Sequence, residues 1–478
     1  MGDRRKKQLD LTDERLSPTR IILQLTWPLL IEQILATLVS YADTAMVGAL
    51  GVNATTSVSI CNSFVFLING AVMALGVGIT TYVARSVGAK DYEGAKAYIR
   101  HALLLLLYVG GPLSLISLCM YRLIPMWMGA APEILDTASE YLLITSAFRI
   151  FSMATMMLGG VYRGRGDMKT TLRVNILVNI VNIIGNYFLI HPAHEVRLGN
   201  WSIWMPGAGM EVAGAALSTG FSWMLGGLVM IVLLYTKRDP TRISIHDSMR
   251  LDVPLVRRVI QISIPAILER VCMSAASVVV SRAVASLGTV VYAANSIYVT
   301  AESISFMPGF AFATSATTLV GQSLGANKPE LAKKYAYRTC AVGAVALTFS
   351  GIMIYVFAQE LVSLFTPDAR AIELAMRCLR QVAYIQPIQV IAWILAGALR
   401  GAGDTKWPFY ITALGNWLIR TLGGYLCICV FHLGLPEAVL CACADSVART
   451  IFTWLRFRLG RWQYTLSQDE ARATAVET

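Results

Sequence analysis

Two carboxylates stand in the first long apolar stretch of the chain, where an acid is costly to bury. Glu32 lies near the middle of this stretch, and Asp43 follows eleven residues later. At ~100° per residue in a helix, this spacing brings both side chains to nearly the same face. Such a carboxylate can take up a proton or, with further oxygen ligands, hold Na⁺. The alternative is a pair of structural acids at a helix interface.

Four asparagines form a second polar feature, in the segment "RVNILVNIVNIIGNYFLI". They recur at intervals of four, three and four residues, so a helix would carry them on one continuous stripe: Asn175, Asn179, Asn182 and Asn186. Amides can complete a cation site around a carboxylate. They can also serve only as hydrogen-bonding contacts between membrane helices. Both interpretations stay open at this point.

Further buried polar residues are secondary candidates for binding a cation or a substrate. Asp445 and Arg449 are four residues apart, which predicts a local ion pair on one helix. For the acid at position 302 no partner is evident beyond Arg282 as a candidate. The secondary candidates are Glu32, Asn179, Glu269, Glu302, Gln386 and Gln389.

The elements that carry these residues are predicted to be membrane helices. The 478 residues are 56% hydrophobic and only 14% charged, with a mean hydropathy of +0.58. Stretches of about 20 apolar residues, long enough to cross ~30 Å of hydrocarbon, recur along the chain. They are too long and too uniformly apolar for barrel strands. The sequence predicts an all-α integral membrane protein with twelve spans at 21–46, 57–82, 102–126, 138–161, 171–191, 211–235, 259–285, 293–318, 339–365, 376–398, 409–431 and 436–456.

Basic residues sort by loop and predict the topology. Most of the 40 Lys and Arg fall in the termini and in every second loop, so the positive-inside rule places both termini in the cytoplasm. We expect a multi-pass protein of the plasma (inner) membrane. The net charge of +11 then comes from Lys and Arg in short loops, where these residues set the orientation of the chain in the membrane. No nucleic-acid partner is expected.

An internal repeat organises the chain. A constant shift of 237 positions places Pro28 on Pro265 and Glu32 on Glu269, and the register continues without a gap to Arg163 on Arg400. Two six-helix lobes related by a pseudo-two-fold axis along the membrane normal are therefore predicted. The predicted order is a cytoplasmic tail, the N-lobe, a cytoplasmic linker, the C-lobe and a second cytoplasmic tail, at 1–20, 21–236, 237–258, 259–457 and 458–478.

Two glycine-rich segments, "RGRGDMKT" from Arg163 and "RGAGDTKW" from Arg400, occupy equivalent loops of the repeat. Glycines can end one helix there, and the Asp can cap the next. The pattern also matches the Gly-x-Gly-Asp signature of intramembrane aspartyl proteases, but the predicted loops lie on the polar side of the membrane, where two such acids would not meet in the bilayer. We therefore expect no catalytic residues and no enzyme.

Cofactors are not expected either. The nine cysteines lack metal-ligand spacing, so neither a metal centre nor disulfides are predicted. The sequence also lacks the Gly-x-x-x-x-Gly-Lys-Ser/Thr pattern that would hold nucleotide phosphates. A direct role for ATP is thus not expected, and an ion gradient is the expected energy source.

Several segments resemble the multidrug and toxic compound extrusion (MATE) transporters. They are "PLLIEQ" with "YADTAMVGALG", the pair "VARSVGAKDYEGAKAY" and "VGQSLGANKPELAKKY", and the pair "YRGRGDMKT" and "LRGAGDTKWP". The resemblance covers roughly 20 to 460 and occurs at matching places in both halves. It implies a twelve-helix secondary antiporter whose lobes surround a central cavity, which opens alternately to either side and exports amphipathic organic cations.

The family pattern places an Asn and, four residues later, an Asp opposite the first-helix Asp. These positions correspond to Asn182 and Asn186, so the second acid is missing here, and Thr219 matches a further family position. The resemblance thus implies cation coupling by Asp43 with these three residues. In the C-lobe the family uses acids of the seventh and tenth helices, whereas this tenth helix offers only Gln386 and Gln389.

We expect a multidrug efflux antiporter that acts as a monomer in the lipid bilayer on small amphipathic organic cations, with H⁺ or Na⁺ as the coupling ion. The alternative is a flippase or exporter of lipid-linked or polysaccharide cargo from the same superfamily. Those proteins usually have about fourteen spans and a cavity rich in cationic side chains, which twelve spans and few intramembrane Arg argue against.

Overall fold

A computed structural model describes residues 11, 15–198, 201–244 and 246–465, so most of the predicted tails, 1–10, 12–14 and 466–478, lie outside the described residues. In this part of the chain, ten helices are long and apolar enough to cross a membrane. Two bent helix pairs raise the number to twelve if each pair is one span. The prediction of a helical membrane protein with twelve spans is confirmed.

The first half contains two long helices followed by a series of shorter ones. In chain order its helices are α1 (Pro18–Gly48), α2 (Val52–Gly88), α3 (Tyr92–Leu105), α4 (Gly111–Cys119), α5 (Leu123–Trp127), α6 (Pro132–Ala147), α7 (Arg149–Gly164), α8 (Met168–Ile190) and α9 (Glu211–Thr236). A π-helical segment, Leu106–Gly110, joins α3 to α4. The pair α6 and α7 is bent by 51° and forms the fourth span.

A two-stranded antiparallel hairpin separates α8 from α9, with β1 at Pro192–Leu198 and β2 at Trp201–Ala208. The sequence analysis predicted an all-α protein and therefore missed this hairpin. The hairpin lies between two spans, where backbone groups that face water need not be bonded within a helix. We name the two ends of the bundle accordingly. The hairpin side holds β1 and β2, and the termini side holds the first residue of α1 and the loop between α9 and the second half.

The second half repeats the plan without a hairpin. Its helices are α10 (Val253–Ala285), α11 (Thr289–Gly325), α12 (Pro329–Val356), α13 (Ala358–Ser363), α14 (Ala369–Gly401), α15 (Lys406–Leu414), α16 (Leu422–Tyr425) and α17 (Leu435–Arg458). Helix α11 bends by 44° between its parts Thr289–Ser303 and Met307–Gly325, next to Pro308. Two π-helical segments, Gly415–Thr421 and Leu426–Val430, flank α16.

Equivalent hydrogen bonds reveal the pseudo-two-fold relation between the halves. Thr81 donates through Oγ1 to the carbonyl of Arg400 at 2.9 Å, and its repeat equivalent Thr318 donates to the carbonyl of Arg163 at the same distance. Each bond joins one half to the other. Because partners and distance match after exchange of the halves, the repeat in the sequence corresponds to a repeat in space.

The halves meet on the termini side. One apolar cluster joins Ile22 and Leu25 of α1 to Phe312, Leu319 and Ile394 of the second half. Beside this cluster, Thr26 donates to Ser315 at 2.9 Å. Further inter-lobe bonds lie closer to the same end, among them that from Nε2 of Gln322 to the carbonyl of Gly164, 2.8 Å. The bundle is therefore closed at the termini side.

Glycines allow α2 and α11 to approach within this closed region. A Cβ on Gly88 would overlap the backbone of Gln322, and a Cβ on the equivalent Gly325 would overlap the backbone of Arg85. Backbone atoms cannot rotate away as a side chain can. Close approach of the lobes thus depends on the absence of a side chain at these two positions.

We expect Gly88→Ala and Gly325→Ala each to force the two helices apart and to lower stability by about 1–3 kcal/mol, the usual cost of overpacking. The measurement is the melting temperature of purified protein in detergent, followed by size exclusion after heating. Gly48→Ala is the control, because nothing lies within 4 Å of a Cβ at that position. Equal melting temperatures for all three variants would contradict the proposed role of the close approach.

Candidate functional site

The Asp43 carboxylate faces α8 in the half of the N-lobe nearer the hairpin side. Nδ2 of Asn186 donates a hydrogen bond to Oδ1 of Asp43 at 2.6 Å. Asn186 is only 1% exposed. In the described part of the chain Asp43 forms no salt bridge, so its charge is met by amide dipoles and not by a cation.

Asn182 lies one helical turn from Asn186 and reaches the same carboxylate. With its amide nitrogen toward Asp43, it donates to Oδ1 at 2.8 Å while its oxygen accepts from the Thr219 hydroxyl at 3.3 Å. With the amide reversed, its nitrogen donates to Thr219 at 3.3 Å and its oxygen faces the carboxyl. The first orientation suits an ionised Asp43. The second suits a carboxyl that carries a proton, or a cation held between the two oxygens.

A cavity of about 250 Å³ opens beside this carboxylate, within the N-lobe. Helices α1, α2, α8 and α9 supply most of its wall. The lining combines the polar residues of the site with neighbouring hydroxyl, amide and aromatic groups, among them Ser40, Asp43, Asn62, Tyr141, Asn179, Asn182, Asn186, Thr219 and Trp223. The structure thus brings together Asp43, Asn182, Asn186 and Thr219, and adds Asn179 to the same wall.

A buried arginine lies near this cavity, and sequence analysis had not connected it to the site. Arg149 is fully buried at the bend between α6 and α7, and its guanidinium makes no hydrogen bond to the described residues. It interacts electrostatically with Tyr141, which also interacts with Asp43. The surroundings of the N-lobe cavity therefore include a buried basic side chain, Arg149, as well as the Asp43 carboxylate.

Glu269 lies apart from Asp43 and has a positively charged partner. The guanidinium of Arg400 donates to both carboxylate oxygens of Glu269 at 2.8 Å. The equivalent acid Glu32 interacts with Arg163, the repeat equivalent of Arg400, and with Thr171 and Asn175 of α8. The asparagine stripe is therefore divided between two acids, because Asn175 faces Glu32 while Asn182 and Asn186 face Asp43.

The pairing of each glutamate with the first arginine of a glycine-rich segment was missed from the sequence. The sequence analysis placed Arg163 and Arg400 at the start of the two glycine-rich segments and assigned neither of them an acidic partner. The signal that could have found the pairs is the constant shift of 237 positions, which relates both acids and both arginines.

Glu302 belongs to a separate polar group in the C-lobe. It interacts with Arg420 and with the Tyr298 hydroxyl, so Arg420 and not Arg282 is the observed partner. A cavity of about 10 Å³, enough for one water, adjoins Glu302 and Gln389. Gln386, also in α14, is fully buried.

The predicted ion pair on α17 is present, with Nη2 of Arg449 lying 2.7 Å from Oδ2 of Asp445. Both residues are buried, and Arg420 also interacts electrostatically with Asp445. The charges of this part of the C-lobe are therefore compensated locally.

The aspartate of each glycine-rich segment was predicted to cap the helix that follows, and the first of them does so. Asp167 accepts from the backbone nitrogen of Thr170 at 3.3 Å, which caps α8, and it also pairs with Lys237. Asp404 instead accepts two bonds from the Arg456 guanidinium, at 2.9 and 2.7 Å. Burial raises the pKa of the Asp404 carboxyl, and Arg456 opposes that shift. Each aspartate is thus held by its own cation.

Among the described residues, no three His, Cys, Asp or Glu side chains are grouped so that they could hold a metal ion. What the structure offers is one carboxylate with amide and hydroxyl neighbours, open to a cavity inside a two-lobed bundle. Fold and site together define a membrane transporter.

Comparison with known proteins identifies the family. The MatE family model matches residues 28–188 and 265–426, one match in each half. The chain belongs to the MATE family of membrane transporters, as the sequence motifs implied.

Individual relatives are distant but extend over nearly the whole chain. A probable multidrug resistance protein NorM of Thermotoga maritima is 25% identical over 453 residues, with 92% of each chain covered. An uncharacterized transporter, YisQ, of Bacillus subtilis is 24% identical over 450 residues, covering 92% of this chain and 94% of that protein. A structure described as the outward-facing conformation of a multidrug resistance MATE family transporter superposes with a TM-score of 0.86 at 22% identity, covering 96% of this chain and 99% of that one.

The Glu269–Arg400 pair predicts a large effect on stability. Arg400→Gln leaves a buried carboxylate without its partner, so we expect the free energy of unfolding to fall by about 3–5 kcal/mol. The double variant Glu269→Gln with Arg400→Gln removes both charges and should recover most of that loss. Thermal unfolding of all variants in detergent provides the measurement.

The control is the exposed pair of Glu330 and Lys333, which has a similar separation of 2.7 Å. Lys333→Gln should cost less than about 1 kcal/mol, because solvent screens that pair. If Arg400→Gln were no worse than Lys333→Gln, the pair would not be a stabilising contact.

Proposed function

We propose that the protein is a secondary active multidrug efflux antiporter, which exports amphipathic organic cations in exchange for H⁺ or Na⁺. The observation that carries the proposal is the Asp43 carboxylate, which lines a cavity of about 250 Å³ and is bonded to amides and not to a positive side chain. A cation that entered the cavity would be the first opposite charge this carboxylate meets at contact distance. The names of relatives such as NorM support drug export as the function of the family member described here.

Antiport follows from competition for one acid. If the inward-moving ion and the outward-moving organic cation both need the Asp43 charge, binding of one lowers the affinity for the other, and the effect is reciprocal. Such competition links ion entry to cargo release without a direct contact between them. Alternating access of the two lobes then converts the competition into transport.

The direction of transport rests on topology. We place both termini in the cytoplasm of a plasma-membrane protein, on the basis of the Lys and Arg distribution. The closed termini side is then the cytoplasmic side, and the Asp43 cavity belongs to an outward-facing state. Release of cargo to the outside and uptake of the driving ion would both occur in this state. We propose that one chain is sufficient for the cycle, because the cavity is built within one lobe.

The coupling ion depends on how many oxygens can surround it. Na⁺ prefers several oxygen ligands, and the site offers the Asp43 carboxylate, the amide oxygens of Asn182 and Asn186 and the Thr219 hydroxyl. A proton needs only the carboxyl of Asp43, because Asn186 cannot take one up. The proposal thus includes both ions, and the two cases differ in their need for Thr219.

Asp43→Asn should abolish gradient-driven export while leaving the protein folded, since the amide keeps the shape and loses the charge. The measurement is ethidium efflux from vesicles that contain purified protein, with a proton gradient and a sodium gradient imposed separately. Asp136→Asn is the matched control, because that acid is exposed and pairs with Arg122. Efflux by Asp43→Asn at the rate of the control would remove the coupling role.

A wild-type protein that moves ethidium with neither gradient would count against drug antiport altogether. In that case, movement of fluorescent lipid-linked cargo would be measured next, as the flippase alternative requires.

Thr219→Val distinguishes the two ions. Loss of one oxygen ligand should weaken sodium-driven efflux about tenfold, from the ~1.5 kcal/mol of a bond to a charged group. Proton-driven efflux should change by less than about twofold, because a proton does not need this hydroxyl. The same vesicles serve for both gradients. A uniform loss under both would mean that Thr219 supports the fold of the site and does not select the ion.

A further inference from the structure

Arg270 stands where the two lobes separate, beside the pseudo-two-fold axis. Its nearest contacts include Sδ of Met73 in the N-lobe, 3.8 Å away, and the ring of Phe310 in the C-lobe, with 5.9 Å to the centroid. Met73 and Phe310 are equivalent positions of the repeat. A group that contacts both members of an equivalent pair lies close to the axis that relates them. Transporter folds built from repeats commonly place their substrate at such an interface.

The packing of α2 against α10 loosens at the level of Arg270. Below it, toward the termini side, Gly78 of α2 packs against Val259 and Ser263 of α10. At the level of Arg270 itself, a Cβ added to Gly70 would lie 3.9 Å from the Cβ of Arg270, which is an ordinary van der Waals contact. Met73 is 41% exposed although it lies in the middle of α2. The two helices thus diverge here, and Arg270 lies where they begin to separate.

The charge of Arg270 is not neutralised by the residues around it. Its acidic neighbour Glu269 is bound by Arg400, which donates to both carboxylate oxygens. Glu269 still attracts the Arg270 guanidinium while Arg400 repels it, and among the described residues Arg270 forms no salt bridge. Two guanidinium groups and one carboxylate leave a net charge of about one positive unit at this place. In a region of low dielectric, such a charge strongly favours an anionic partner.

An aromatic surface adjoins the charge. Phe310 stacks on Trp393 of α14, with ring centroids 5.1 Å apart and an angle of 21° between the planes. The repeat equivalent of Trp393 is Met156, so the N-lobe lacks the second ring. The two rings next to a guanidinium suit a flat aromatic body that carries an acidic group. An aliphatic chain would gain less from the rings.

Arg270 is also a departure from the repeat. Its equivalent is Gln33, which follows Glu32 as Arg270 follows Glu269. The scaffold therefore accommodates an uncharged amide at this position, and the positive charge is not required for the packing of the repeat unit. Burying an arginine in a membrane is costly, so its presence in one half only is most simply explained by a ligand.

We infer that Arg270, Phe310 and Trp393 form a binding subsite for planar aromatic compounds that carry an anionic carboxylate or phosphate. Arg270 binds the oxyanion, and the stacked rings hold the aromatic body. The subsite favours ligands that carry an acidic group, a preference that a site for organic cations alone does not have. A zwitterionic cargo would satisfy both this subsite and a cation-binding Asp43. The inference deepens the proposed export function, but its central test is equilibrium binding and needs no transport.

The test uses two pairs of fluorescent probes that differ in one acidic group. The first is a rhodamine with a free carboxylate and the methyl ester of the same dye. The second is riboflavin 5′-phosphate and riboflavin. Binding to the purified full-length protein in detergent is followed by fluorescence anisotropy. We expect the acidic member of at least one pair to bind about tenfold tighter than its neutralised partner. The pair that shows the preference identifies carboxylate or phosphate as the group recognised.

Arg270→Gln should reduce the ratio of the two affinities, acidic probe over neutralised probe, to about one. Arg270→Lys should retain part of the preference for the acidic probe. Arg282→Gln is the control, because it removes a positive charge from the same helix at a position twelve residues away. Glutamine is chosen because the repeat already carries it at the equivalent site, and each variant is used only if it elutes as a single species. The ratio of the affinities for the acidic and the neutralised probe in the wild-type protein is a second measurement, which does not depend on any variant.

Equal affinities within both pairs for the wild type would overturn the inference. So would a preference that survives Arg270→Gln, or one that is lost equally in Arg282→Gln. Gradient-driven efflux of the same dyes is then measured in vesicles. If the preference for the acid is present in detergent but no dye moves, the subsite stands and the export function fails. If ethidium is exported but no acid preference exists, the export function stands and the subsite fails.

Discussion

A charged side chain within a bilayer has no water to solvate it, so its partner must come from the protein or from a ligand. Most of the buried acids described here meet this constraint inside the fold. Glu269 is held by Arg400, Glu302 by Arg420 and Asp445 by Arg449. Asp43 is the exception among these acids, because amides face it and it lines a cavity of about 250 Å³. That difference in pairing is the reason for proposing Asp43, and not the paired acids, as the cation-coupling residue.

The repeat supplies the scaffold, and departures from it supply the chemistry. Positions that are alike in both halves form matched contacts, such as those of Thr81 and Thr318 with the glycine-rich segments. The groups proposed to face ligands lie at positions that differ between the halves. Asp43 corresponds to Val280, and Arg270 corresponds to Gln33. A symmetrical framework can move as two similar bodies, while its two lobes offer unlike charges to cargo and ion.

Closure of the termini side uses contacts that can be exchanged. Thr81 and Thr318 donate to carbonyls of the opposite half, and glycines at Gly88 and Gly325 let backbones approach without interlocking side chains. Each threonine hydroxyl can return to a carbonyl of its own helix, as Thr318 already does in part with Thr314 at 3.4 Å. Separation of the lobes would therefore leave few polar groups without partners, which alternating access requires.

The sequence by itself determined the helical membrane class, the twelve spans, the repeat and the grouping of Asp43 with Asn182, Asn186 and Thr219. Hydropathy and a fixed register are local or periodic signals, and these residues were placed by their match to a family pattern. Only the tertiary structure decided that Arg400 and Arg163 reach the two glutamates, that Arg420 faces Glu302, and that Arg270 joins Met73 to Phe310. The physical reason is that these long side chains bind partners on other helices. Which partner they reach depends on helix rotation and bending, and these are set by packing between segments that are distant in the sequence.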